Sequence, residues 1–256
     1  MAADTLSATI LNQDDPELLQ SGVPAYLLLV DGFISENPDN VELLAAGSQL
    51  FALYGSRFAP SAERAATLTG KARSYGERAI CLAHAPACAW ETMDYDSFVT
   101  ALGEVEKRDL GALYSYAISW LSNLDATSED WSAVAELPWV EATLERALAL
   151  DETYERGAIH AYLGILNSLR PPALGGRPEV AREHFERALA LNGDKDLSVK
   201  VEYAKRYARL VFDQELHDRL LTEVVNAPTE APGFTLFNVL AKQEALELLE
   251  SSKEYF

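Results

Sequence analysis

Along almost the whole chain, apolar residues recur three and four positions apart, the spacing of helices with one buried face. An N-cap-like Asp14 or Asp15 followed by Pro16 predicts a short first helix over 12–20, and Pro24 then opens a second through 25–34, stopped by Asn37-Pro-Asp-Asn40. Residues 41–59 form a helix whose apolar positions nearly encircle it, and 62–82 its antiparallel partner. The periodicity breaks over 84–97. It resumes in a pair over 97–107 and 110–124, in a segment from Trp131 to Leu150, in pairs over 154–191 and 196–227, and in a last helix over 235–252. No alternating strand pattern competes with these helices. The expected fold is all-α, an array of about a dozen helices in hairpins, in one domain over 1–256.

The hairpin over 154–191 is the most informative stretch. Its first helix places Ile159, Tyr162, Leu163 and Leu166 on one face, and its second repeats the signal with Ala181, Phe185, Ala188 and Leu189. Pro178 suits a first helical turn, where its missing N–H costs nothing, and Asn192-Gly193 a C-terminal stop. Leu163-Gly164 followed by Ala181, Phe185 and Ala188 resembles the core signature of a tetratricopeptide repeat, in which small residues let two helices approach closely. The sequence ERALAL occurs at both 145–150 and 186–191, with a weaker copy at 77–82; the copies at Glu77 and Glu145 begin 68 positions apart, two periods of about 34. The connecting loop, with Pro171, Pro172, Leu174, Gly175 and Gly176, is longer than the repeat norm, and we expect it to be ordered against a neighbouring hairpin or subunit.

Composition narrows the function. A net charge of −19 on 256 residues opposes binding to nucleic acid or to anionic membranes, because both are polyanionic. No uninterrupted apolar run reaches the length of a membrane span, and the first residues show neither the basic nor the apolar region of a signal peptide. Enzymatic motifs are missing. His84, His160, His184 and His217 stand in four separate segments without metal-ligand spacing, and no nucleophile elbow or phosphate loop occurs. The expectation is no catalytic residue, no metal and no cofactor. Cys81 and Cys88 flank Pro86, which can fold the chain back far enough for a disulfide; two buried thiols are the alternative, and an exported location favours the bridge. In a hairpin array the first helix of each pair faces inward. Tyr54, Tyr162, Tyr203 and Tyr207, with Tyr116 and Trp120, are therefore candidate walls of a ligand cavity, and Arg206 a candidate partner for a ligand carboxylate. The same aromatics also read as interhelical core, with Arg206 paired to Glu202 one turn earlier.

Three stretches carry a wider resemblance: ILNQDDPELLQSGVPAYLLLVDGFISENPDN near the front, the Pro-Pro-Ala-Leu-Gly-Gly-Arg-Pro hairpin, and the tail from Asp196 to Phe256. Together they resemble the T-component family of tripartite ATP-independent periplasmic (TRAP) transporters, over nearly the whole chain. That resemblance implies a periplasmic, lipid-anchored, non-enzymatic helical protein. It further implies a homotrimer that associates with the solute-binding P subunit and passes a small hydrophobic or organic-acid ligand through a cavity. No lipid-attachment cysteine stands near the first residue of this sequence, and Cys81 and Cys88 lie too deep to serve, so membrane association would come only through an anchor outside it. The competing readings are a general peptide-binding tetratricopeptide adaptor and an α-helical enzyme with an unrecognised site.

Overall fold

A computed structural model describes residues 8–128, 131–169, 172 and 175–256, with backbone alone at 131–134. Every regular element among the described residues is helical. In chain order they are α1 (Pro16–Glu36), α2 (Val41–Arg57), α3 (Ala62–Ala83), α4 (Tyr95–Leu102), α5 (Leu110–Ala126), α6 (Trp131–Leu150), α7 (Ala158–Ser168), α8 (Pro178–Asn192), α9 (Leu197–Glu202), α10 (Gln214–Asn226), α11 (Thr235–Glu250) and α12 (Ser252–Tyr255). Short 3₁₀ turns join several of them, and α9 continues through a π-helical segment, Tyr203–Ala208. Helix starts follow local chemistry. Asn40, Ser61, Asp94 and Asp213 each accept a hydrogen bond from the backbone N–H three residues on. Gly193, at φ 62°, closes α8 in the left-handed conformation that glycine adopts without strain.

The front of the chain differs from its sequence reading. The two helices expected over 12–20 and 25–34 are one continuous α1, with Pro24 inside it. Proline has no N–H, so the Gln20 carbonyl four residues earlier loses its helical donor. The Tyr54 hydroxyl of α2 supplies one instead, donating to Gln20 O at 3.0 Å. Tyr54→Phe should therefore cost about 1 kcal/mol, the usual net worth of one such bond. In a Pro24→Ala background the ordinary helical bond returns, and the same change should cost nearly nothing. A double-mutant cycle by urea unfolding checks this; equal costs in both backgrounds would remove the proposed role.

The chain forms two compact units, Gln20–Asp151 and Glu152–Phe256 together with the residues before Gln20. In the first, α2, α3 and α5 pack on one another, α6 covers α5, and α4 leans on α6. Close approach depends on small residues. A Cβ added at Gly76 of α3 would lie 2.5 Å from Ser119 Oγ, 2.9 Å from Tyr116 Cα and 3.1 Å from Ser48 Oγ. In the second unit α7 pairs with α8, and the π segment, α10 and α11 pack beyond them. Gly164 lies flat against the Phe185 ring, three of whose carbons would be 3.0 Å from a Cβ there, and Ala181, Phe185 and Ala188 are fully buried.

α1 also carries an unusual outer face. From Ser21 to Ser35 its exposed positions hold no charged side chain; Leu28 is 74% exposed, and Leu29 and Phe33 are each 53% exposed. Its one acidic residue in that span, Asp31, turns inward to Lys71 and Tyr75. Among the described residues α1 is the helix long and apolar enough to cross a membrane, though only 22% of its most apolar window is buried.

Candidate functional site

The densest chemistry lies in the first unit, where α3, α5, α6 and the turn Ala85–Thr92 meet. Arg73 and Glu77 stand one turn apart on α3, as Tyr116 and Trp120 do on α5, so each pair shares a helix face. The Tyr116 and Trp120 rings lie 5.1 Å apart, and Trp90 packs 5.9 Å from Tyr116 and edge-on against Phe98 at 5.3 Å. This aromatic floor is buried: Trp90, Tyr116 and Trp120 are at most 5% exposed.

A partly exposed rim of charge closes over it. The Arg73 guanidinium sits 4.8 Å above the Trp120 ring, a cation–π contact. It donates to Glu77 through Nε at 2.9 Å and pairs with Glu136 through Nη1 at 2.9 Å. Trp120 Nε1 donates to the same Glu136 carboxylate at 2.6 Å. Burial, the largest influence, lifts the Glu77 carboxyl above its ordinary value in spite of Arg73. Burial also drives the Tyr116 phenol far above the usual range, and Glu77, Glu91 and Glu136 push it further the same way.

The other sequence candidates fall elsewhere. Tyr54 serves α1, as described. Tyr162, Tyr203, Arg206 and Tyr207 belong to the second unit, where Tyr203 stacks on Phe185 at 5.0 Å and lies 5.2 Å from Tyr207. The Tyr203 hydroxyl donates to Glu186 at 3.3 Å. Arg206 pairs with Glu202, Nε to Oε2 at 3.2 Å, the arrangement expected of a helix-surface ion pair one turn apart. Tyr162 is half-buried. In the loop, Pro171 and Leu174 lie outside the described residues. Pro172 and Gly175 are exposed, Gly175 takes φ +87°, and its N–H bonds Pro172 O at 3.1 Å. Arg177 then ties the loop back to α7, with N and Nε donating to Asn167 O and Oδ1 at 2.9 and 2.8 Å. Cys81 and Cys88 are joined as a disulfide, with Cα atoms 4.5 Å apart.

One pairing escaped the sequence reading. His160 of α7 and His184 of α8, read there as residues of separate segments without metal-ligand spacing, meet Nδ1 to Nδ1 at 2.8 Å. His160 Nε2 faces Glu152 at 3.3 Å, and Arg187 holds Glu152 by two bonds of 2.6 and 2.9 Å. With His160 Nε2 donating to Glu152, its Nδ1 accepts from His184 Nδ1–H, which makes the His160 ring the neutral member of the pair. Burial lowers both histidines, His184 to about 4, helped by its neighbours His160 and Arg177. A histidine whose folded pKa is depressed binds protons more readily when unfolded, so its contribution is complete above about pH 6.5 and declines as pH falls toward about 4. The urea midpoint should drop across that window, and His184→Gln should flatten the drop. An unchanged slope in the variant would show that the pair does not set it.

Compared with known families, the chain matches the model described as TRAP transporter T-component over residues 12–256. Comparison with curated proteins returns no match.

Proposed function

The chain belongs to the TRAP transporter T-component family, and on that premise we propose that it is the periplasmic accessory that engages the solute-binding P subunit and handles a small organic ligand. The carrying observation is the family match, which spans all but the first residues. Such a component is part of a transport system, which is not an enzyme class. The location is periplasmic and membrane-associated, through a lipid anchor in the native protein.

Assembly into a homotrimer is part of the same proposal, and the outer face of α1 supports it. Each copy carries a charge of −19, so copies repel wherever charged surfaces meet. The uncharged strip from Ser21 to Ser35 is a place where they can touch without that penalty. Leu29→Glu should lower the sedimenting mass without unfolding the chain; an unchanged mass would move the interface elsewhere.

The decisive test is capture of the cognate P subunit on the immobilised chain, with and without transported solute. Capture in either state supports the role. Failure in both would reduce the reading to family membership alone.

A further inference from the structure

We propose that the facing Nδ1 atoms of His160 and His184 form a two-coordinate site for a soft monovalent metal ion, copper(I) in nature, which pins α7 to α8 when bound. The inference goes beyond the transport role and does not depend on it.

Geometry carries the argument. The two histidines stand 24 positions apart on different helices, yet their Nδ1 atoms meet at 2.8 Å. Their ring centroids lie 5.0 Å apart. The excess over the nitrogen separation is nearly two ring radii, so the two Nδ1 directions run almost along one line. A hydrogen bond uses that line. An ion on it would have one nitrogen at each end, the arrangement a closed-shell monovalent ion takes with two donors. Imidazole nitrogens sit about 2 Å from a first-row ion such as zinc, so the Nδ1 atoms must part to about 4 Å. His160 is 7% exposed and His184 half-buried, so the His184 ring is the one to supply that movement.

The groups behind His160 are those of a metal ligand. Its Nε2 faces Glu152 at 3.3 Å, and Arg187 holds that carboxylate through Nε and Nη2. A carboxylate on the far nitrogen fixes the tautomer whose Nδ1 lone pair is available and makes that lone pair more basic. Burial keeps both imidazoles unprotonated at neutral pH, the state in which imidazole binds a metal. With the ion in place His184 carries its proton on Nε2 instead of Nδ1, so no net proton is released.

Charge and ligand number select the ion. Glu152 is opposed by Arg187, and Arg177 adds a second positive charge that acts on His184. One further positive charge is easier to accept there than two. Zinc calls for four ligands and calcium for six to eight oxygens. No group of three or more His, Cys, Asp or Glu able to hold a metal ion occurs among the described residues. A soft ion content with two nitrogens fits the pair.

Silver(I) is the probe, because copper(I) needs a reductant that would open the Cys81–Cys88 bridge. The full oxidised chain, free of any affinity tag, is titrated with silver, zinc and calcium nitrates in chloride-free buffer at neutral pH. Calorimetry gives the affinity, and NMR follows the histidine ring nitrogens. The expected result is one silver ion per chain at micromolar concentration, with the Nδ1 signals of His160 and His184 shifting while those of His84 and His217 stay still. His184→Gln should weaken binding about a hundredfold, since one of two donors is lost. Glu152→Gln should weaken it about tenfold, the usual cost of removing the carboxylate behind a metal-bound histidine. Glu152 is exposed, so its variant should fold, and the NMR result on the natural chain stands even if His184→Gln does not. Four outcomes would overturn the proposal: no silver bound at micromolar concentration, silver bound with the two Nδ1 signals unmoved, zinc or calcium bound at the pair in preference, or an affinity unchanged in a folded His184→Gln variant.

Discussion

Gly76→Ala should lower stability by about 2 kcal/mol, although alanine is the better helix former. Alanine gains about 1 kcal/mol over glycine inside a helix. Against this, the new methyl would overlap three neighbours at once, and overpacking of this kind typically costs about 1–3 kcal/mol. Two neighbours are serine hydroxyls that can rotate away, but the third is the Cα of Tyr116, backbone that moves only if α5 moves. The cost therefore belongs at or above the top of that range, and it outweighs the propensity gain. Because Tyr116 is displaced with α5, near-ultraviolet circular dichroism should change as well. Gly70 on the same helix is the control. A Cβ there would meet only Asn123 Nδ2 at 3.6 Å, so Gly70→Ala should stabilise by up to about 1 kcal/mol. Urea unfolding of both variants decides the matter, and equal behaviour would show that the crossing is not tight.

Loss of the disulfide ranks next. Replacing Cys81 and Cys88 together by serine should cost about 2–3 kcal/mol, the worth of closing a short loop in the unfolded chain. The bridge ties the last turn of α3 to the turn Ala85–Thr92, the segment that seats Trp90 between Phe98 and Tyr116. Tryptophan emission should consequently shift to the red in the serine variant even before it unfolds, and reductant should shift the natural chain alike. If reductant alters neither emission nor midpoint, Trp90 is held by packing alone.

The helices were legible because a buried face imposes its period on the sequence, whatever it packs against. The contact of Gly164 with Phe185 was legible for a similar reason, since a repeat signature encodes a close crossing. Pro24 was misread because the donor that lets α1 run through it comes from Tyr54, thirty positions later, and no local rule reports such a partner. The His160–His184 pair lay hidden in the same way, with the long loop and parts of two helices between its members. Of the cavity candidates, the sequence supplied Tyr116 and Trp120 but no reason to join them to Arg73, Glu77 and Glu136. Those residues converge only through the packing of the three helices α3, α5 and α6. For Arg206 the sequence offered two readings, a ligand carboxylate or Glu202 one turn earlier, and the helical spacing to Glu202 was the better signal.

The outer face of α1 bears on how the protein responds to its medium. On the proposed α1 contact, charges that act over about 30 Å at about 0.01 M salt would hold copies at −19 each apart before their uncharged strips could meet. At physiological ionic strength that reach shrinks to about 8 Å, while the attraction between apolar side chains such as Leu28, Leu29 and Phe33 is left intact. Added salt, which loosens complexes held by ion pairs, would here draw copies together, and dilution into weak buffer would disperse them.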